Sequence, residues 1–293
     1  MNSFSEILSR NSQLLEPIAT DQPAELKTLP EIRAVLFDIY GTLLVSGSGD
    51  VGTAMEMTKG DALEAAWEAS GIQSKVPAEE MIARFYEVIQ DDHKIATKRG
   101  TSYPEVVIEE IWEKVFDAPL RCGQIELPCD FDMKLFALEF ETRVNPVWPM
   151  PGLREVIGAL QQQDYTLGII SNAQYFTPKI VETFLDSTLE ENGFKPENCF
   201  FSYEHRVAKP GTDLYVAAAK SLADQQIEAR HTLYVGNDML NDIQPASQIG
   251  MKTALFAGDR RSLRLRKDDA RMLPIHPDVT LTRLSDILAC LPR

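Results

Sequence analysis

Short apolar runs punctuate the chain and longer mixed stretches separate them. They are RAVLF at Arg33–Phe37, YTLGII at Tyr165–Ile170, NCFFS at Asn198–Ser202, TLYV at Thr232–Val235 and KTALF at Lys252–Phe256. Each run is continuous rather than alternating, the pattern of a strand buried on both faces. Between the runs, apolar residues fall at helical spacing and predict helices over Leu153–Gln162, Pro178–Glu191, Thr212–Ala223 and Asp242–Ile249. Strand, helix, strand in this order implies right-handed crossovers and a parallel sheet.

The stretch between the first two runs breaks the rhythm. Its pattern predicts helices over Lys59–Ser70, Ala78–Lys98, Pro104–Phe116 and Phe131–Arg143, with no strand among them. Gly- and Pro-rich segments stand at both joins, SGSGDVG at Ser46–Gly52 and NPVWPMPG at Asn145–Gly152, as suits a hinge pair. The expected architecture is α/β: a Rossmann-like parallel-sheet core from residues 28–46 plus 145–293, an inserted α-helical cap at 47–144, and an N-terminal helical arm at 1–27. Ser5–Leu15 carries Leu and Ile on one face of that arm, as a helix that covers an apolar patch would.

Composition narrows the picture. The chain has 293 residues, room for two linked units, and a formal net charge of −15, which disfavours nucleic acid and anionic membranes as partners. No apolar run reaches the roughly 20 residues of a membrane span, and the first residues lack a signal-peptide pattern. Cys122, Cys129, Cys199 and Cys290 are sparse and read as reduced thiols, so the expected location is the cytoplasm. The state expected is a monomer or homodimer.

Candidate chemistry gathers where the strands end. Phe37–Leu44 reads FDIYGTLL and places Asp38 at the finish of the first strand; an unpaired carboxylate buried there would be costly. Ser171 and Asn172 follow the second strand, Lys209 the third, and Asp238 and Asp242, in VGNDMLND, the fourth. Ligands in open α/β sheets bind outside the carboxyl ends of the strands, so these residues face a common edge.

In order and spacing, the four stretches resemble the motifs of the haloacid dehalogenase superfamily of hydrolases, with the insertion placed as in its helical-cap class. The resemblance covers the chain beyond the arm. It implies that Asp38 is the nucleophile, that Ser171 bonds the transferring group, and that Lys209 holds nucleophile and substrate together. Thr42 would support the loop beside the substrate and Asn172 would sit with it. Asp38, the Tyr40 backbone carbonyl, Asp238 and Asp242 would hold Mg²⁺. The expected reaction is then hydrolysis of a small, anionic phosphorylated metabolite through an aspartyl-phosphate, with the metal offsetting the charge of carboxylates and phosphate.

One position departs from the family's phosphatase pattern. Tyr40 stands where a second Asp acts as acid and base, and a phenol is a poor base at neutral pH. DIYGT is closer to the 2-haloacid dehalogenase branch, which uses an Asp nucleophile on carbon and no metal. Against that branch, Asp238 supplies a carboxylate where it resembles an amide, and no arginine lies between Asp38 and Arg84 to match its halide-binding residue. A catalytically weak binding or regulatory protein is the third alternative.

Two basic stretches complete the reading. DDHKIATKRG puts His93, Lys94, Lys98 and Arg99 on one cap helix, with Lys98 and Arg99 as candidate substrate contacts, while Tyr86, Tyr103 and Trp112 are expected to pack the cap core. Gly258–Arg271 carries Arg260, Arg261, Arg264, Arg266, Lys267 and Arg271, either to grip an anion near the active-site edge or to form a solvated face.

Overall fold

In the computed structural model, residues 3–47 and 58–292 are described. Most of the Gly-rich join expected at Ser46–Gly52 lies outside them. Strands run in chain order as β1 (Ala34–Phe37), β2 (Leu44–Ser46), β3 (Gln73–Ser74), β4 (Ile125–Glu126), β5 (Val147–Pro149), β6 (Thr166–Ser171), β7 (Phe194–Phe201), β8 (Thr232–Gly236), β9 (Lys252–Phe256) and β10 (Val279–Leu281). The helices that matter below are α1 (Phe4–Asn11), α2 (Lys59–Ser70), α3 (Ala78–Lys98), α4 (Ile108–Arg121), α5 (Met133–Val144), α6 (Leu153–Gln162) and α7 (Phe176–Leu185). The chain divides into a helical unit, Met1–Leu14 with Gly47–Val147, and a sheet unit, Leu15–Ser46 with Trp148–Arg293. The arm expected as one element is therefore shared: its helix packs in the helical unit, and the residues after Leu14 belong to the sheet unit.

The sheet unit is built on six strands in the order β10-β9-β8-β1-β6-β7, and every pair is parallel. β1 is central, and Phe37 stands level with Ile169 of β6 and Val235 of β8. All four residues of β1 are buried, as its unbroken apolar run requires. The chain builds outward from β1 to β7, then returns to place β8 on the other flank. Strand order thus reverses beside β1, and the crevice outside its carboxyl end is where such sheets bind ligands.

Local boundaries differ from the sequence pattern for identifiable reasons. β7 begins at Phe194, four residues before the expected run, because its polar residues Lys195–Glu197 continue the extended chain with exposed side chains. α7 stops at Leu185, where Asp186 turns to φ +59°. β10 was not expected; its three residues are too few for a period to register, and Glu25 flanks it through an antiparallel bridge to Thr280.

The helical unit closes around Trp112, Phe116 and Phe136, all fully buried, with the Trp112 ring 4.5 Å from that of Phe85 and 5.0 Å from that of Phe136. Caps set its helix ends. Thr58 and Asp61 form a capping box on α2, Gly71 ends it at φ +68°, and Asp132 accepts from Lys134 N and Leu135 N at the start of α5. α4 starts at Ile108, not at Pro104, because Val107 is still extended. Trp112 packs the core as expected, but Tyr86 and Tyr103 do not: they are 38% and 41% exposed. Tyr86 instead carries the Lys59 ammonium 4.6 Å from its ring centre.

α1 docks in this unit through Ile7 and Leu8, each 1% exposed, and through charge. Glu139 of α5 is buried and accepts from Arg10 and Arg143, and Asn11 bonds both Glu139 and Thr142. Burial alone would raise the Glu139 carboxyl; the bonds from Arg143 and Arg10 outweigh it and hold its pKa below the ordinary value. No helix among the described residues is long and apolar enough to cross a membrane, and the four cysteines are free.

Candidate active site

Asp38 is the first residue after β1, held by its backbone N–H to Val235 O at 2.9 Å, and is 5% exposed. Its Oδ1 accepts two bonds, from Ser171 Oγ at 3.0 Å and from Lys209 Nζ at 2.6 Å. Its Oδ2 accepts none from the described residues. Ser171 closes β6, and Lys209 arrives from the loop beyond β7. The expected convergence of Asp38, Ser171 and Lys209 is therefore what the structure places at this edge.

Lys209 Nζ also lies 2.6 Å from Oδ1 of Asp242, so one ammonium bridges two carboxylates. Burial would lower the lysine's pKa, but the Asp242 and Asp38 charges overcome it and hold it above its ordinary value, so the ammonium persists through neutral pH. Burial raises Asp242 to about 6, with Lys209 opposing and Asp38 adding to the rise. Asp242 reaches this position through a π-helical turn over Met239–Ile243. Gly236 makes room for it: a Cβ there would stand 2.4 Å from Asp242 Cγ.

Residues not anticipated as part of the site hold these groups in place. The Tyr234 hydroxyl, buried on β8, donates to Ile170 O at 2.8 Å and lies 3.2 Å from Asp242 Oδ1 and 3.3 Å from Lys209 Nζ. A tyrosine inside the apolar run TLYV was its only signal. Asn237, the first residue after β8, accepts from Thr42 Oγ1 at 3.2 Å and donates to Ser262 O at 2.6 Å. The loop after Asp38 fits against these groups at Gly41, which has φ +83° and would bring a Cβ within 2.4 Å of Ser262 Cβ.

The other predicted residues take the following positions. Asn172 is bonded to the backbone of Lys209: its Oδ1 accepts from Lys209 N at 2.8 Å and its Nδ2 donates to Lys209 O, so it clamps the lysine's backbone. Thr42 is fully buried and braces the loop through Asn237. The Tyr40 hydroxyl is hydrogen-bonded to Thr177 Oγ1 on α7 at 2.9 Å. Lys98 and Arg99 are exposed at the end of α3 in the helical unit.

The largest change concerns Asp238. Its Oδ1 caps the turn that follows, accepting from Leu240 N and Asn241 N, and both its oxygens are taken by Arg266, at 3.0 Å to Nε and 2.5 Å to Nη2. Arg266 belongs to the basic segment, which lies beside this loop through the Asp238–Arg264 bridge. The residue joined to the Asp38 loop is the neutral amide Asn237. The donor set expected for magnesium thus does not fit the ion: Asp38 and Asp242 share an ammonium, Asp238 is paired with a guanidinium, and no group of three or more acidic, His or Cys residues among those described could hold a metal.

Comparisons with known proteins identify the family and the fold. The family model described as haloacid dehalogenase-like hydrolase matches residues 32–250. A search of curated proteins returned no match. Among solved structures, the chain is similar to a 2-haloacid dehalogenase from Pseudomonas syringae pv. Tomato DC3000 (18% identity, TM-score 0.51, 88% of this chain and 96% of that one). It is also similar to a dehalogenase with an intermediate complex (15%, 0.50, 90% and 98%) and to the HAD hydrolase YfnB from Bacillus subtilis bound to magnesium (20%, 0.47, 88% and 97%). At these identities the likeness concerns the fold. The matched segment contains all four strand ends that carry Asp38, Ser171, Lys209 and Asp242, and the chain belongs to the haloacid dehalogenase-like hydrolases.

Proposed function

We propose that this hydrolase works without a metal, by displacement at carbon: Asp38 Oδ2 attacks a carbon bearing a leaving group on a small anionic substrate of the 2-haloacid kind. The observation that carries this reading is the pairing of the acids at the site with the chain's own cations, Lys209 and Arg266, with Asn237 joined to the Asp38 loop. The magnesium-dependent phosphatase expected from the sequence rested on Asp238 as a ligand, and Arg266 occupies that carboxylate.

The asymmetry at Asp38 suits two successive steps. Ser171 and Lys209 fix Oδ1 and leave Oδ2 as the attacking atom. The leaving group departs with its electron pair and an ester joins Oδ2 to the substrate carbon. Water then adds to the Asp38 carboxyl carbon. Negative charge develops on Oδ1, where the ammonium and the hydroxyl already stand, so the donors that orient the nucleophile also stabilise the second transition state. The ester bond breaks, the product alcohol leaves, Asp38 is restored and one proton is released to solvent.

A paired substrate panel tests the proposal. Chloride or bromide release from 2-haloacids, measured with excess chelator, is expected to proceed and to vanish in Asp38→Asn. Phosphate release that appears only with added magnesium, without dehalogenation, would overturn it.

A further inference from the structure

The sheet unit carries a cavity whose lining includes none of Asp38, Ser171, Lys209 and Asp242. Its volume is about 600 Å³, within the few-hundred to thousand Å³ range of small-molecule sites. Met239, Leu255, Leu265, Met272 and Ile275 supply an apolar lining over a satellite hydrophobic cluster. Arg266 and Lys267 stand on one side, with Glu25 and His276 also on the lining. Arg266 is committed to Asp238, whereas Lys267 is exposed and has no ion-pair partner among the described residues. Leu273, also on the lining, is 72% exposed.

We infer that this cavity binds an amphiphilic carboxylate: an unbranched apolar tail against Met272 and Ile275, with its carboxylate at Lys267. The cavity complements such a ligand in two ways. An apolar wall rewards a tail and excludes a purely polar anion. On a protein of net charge −15, Lys267, which has no ion-pair partner among the described residues, is the cation of this lining left to meet a negative head group. The inference does not depend on what Asp38 attacks.

Isothermal titration of the whole chain with decanoate tests it, with octanoate, dodecanoate and decyltrimethylammonium as comparison probes. Saturable decanoate binding is expected, tightening about fourfold per methylene as each buries against the lining. Lys267→Glu should weaken it at least about tenfold, the loss of an attractive charge and the gain of a repulsive one. Ile275→Asp should do the same through the tail, while Lys220→Glu, an exposed change elsewhere, should leave it intact. Far-UV dichroism and thermal melts confirm that each variant folds. Affinity that ignores chain length, equal binding of the cationic amphiphile, or a Lys267→Glu variant that binds as the native chain does would each overturn the inference.

Discussion

Lys209 Nζ stands 2.6 Å from Asp38 and 2.6 Å from Asp242, and this shared ammonium fixes the charge state of the site. Three buried ionic groups carry a net charge of one anion; Ser171 also donates to Asp38 Oδ1, and the Asp238 backbone N–H donates to Asp242 Oδ2. Removing the cation leaves two carboxylates facing each other without a counter-charge. Lys209→Met is expected to lower kcat roughly a thousandfold, through loss of the Oδ1 donor. It should also cost about 3–5 kcal/mol of stability by leaving buried charge unpaired. Urea unfolding and single-turnover kinetics on the variant check both effects.

The pH dependence follows from Asp242. Its folded pKa, about 6, lies above the ordinary 3.8, so the fold favours its protonated form. Its contribution to stability is therefore greatest below pH 3.8 and is lost as pH rises from 3.8 through about 6. For catalysis the sign is opposite. Protonation below about pH 6 removes one of the two anions that share Lys209, the ammonium draws harder on Asp38, and the nucleophile weakens. The kcat/KM profile is expected to fall on the acid side with an apparent pKa near 6, and Asp242→Asn should be slower and lack that limb.

The cations that occupy the acids can be exchanged for an ion by design. Asn237→Asp combined with Arg266→Ala restores a carboxylate beside the Asp38 loop and releases Asp238. The double variant is expected to gain a magnesium-dependent rise in Tm that the native chain does not show. Arg266→Ala alone leaves Asp238, whose side chain is 8% exposed, without its counter-charge and should cost about 3 kcal/mol. Thermal melts with and without magnesium provide the readout.

In the helical unit, Glu139 holds α1 to α5 through Arg10, Arg143 and Asn11. Glu139→Ala leaves Arg143, 13% exposed, without its carboxylate and should destabilise the unit by about 3 kcal/mol. Faster proteolysis within the first 14 residues would accompany it. Glu139→Gln, which keeps the shape and one acceptor, should cost less.

The parallel sheet and the meeting of Asp38, Ser171 and Lys209 were legible in the sequence because buried strands write unbroken apolar runs and polar residues at their ends stand out. The side-chain directions after β8 were not. Asn237 and Asp238 are adjacent, so successive residues point opposite ways, and nothing in VGNDMLND says which faces the nucleophile. The carboxylate was the natural choice for a metal, yet it is the amide that meets the Asp38 loop. Arg266 lies 28 residues beyond its partner Asp238, a separation no local pattern reveals. Tyr86 illustrates the same gap, since helical spacing marks a face but not which face packs, and Tyr103 lies on no helix, in the segment between α3 and α4.

Displacement at carbon through an Asp38 ester is decided by a single turnover with excess enzyme in heavy-oxygen water, followed by mass spectrometry of the peptide containing Asp38. Water that attacks the ester carbonyl leaves its oxygen in the Asp38 carboxylate, and the label is expected there. An unlabelled Asp38, with the heavy oxygen found only in the released product, would contradict it.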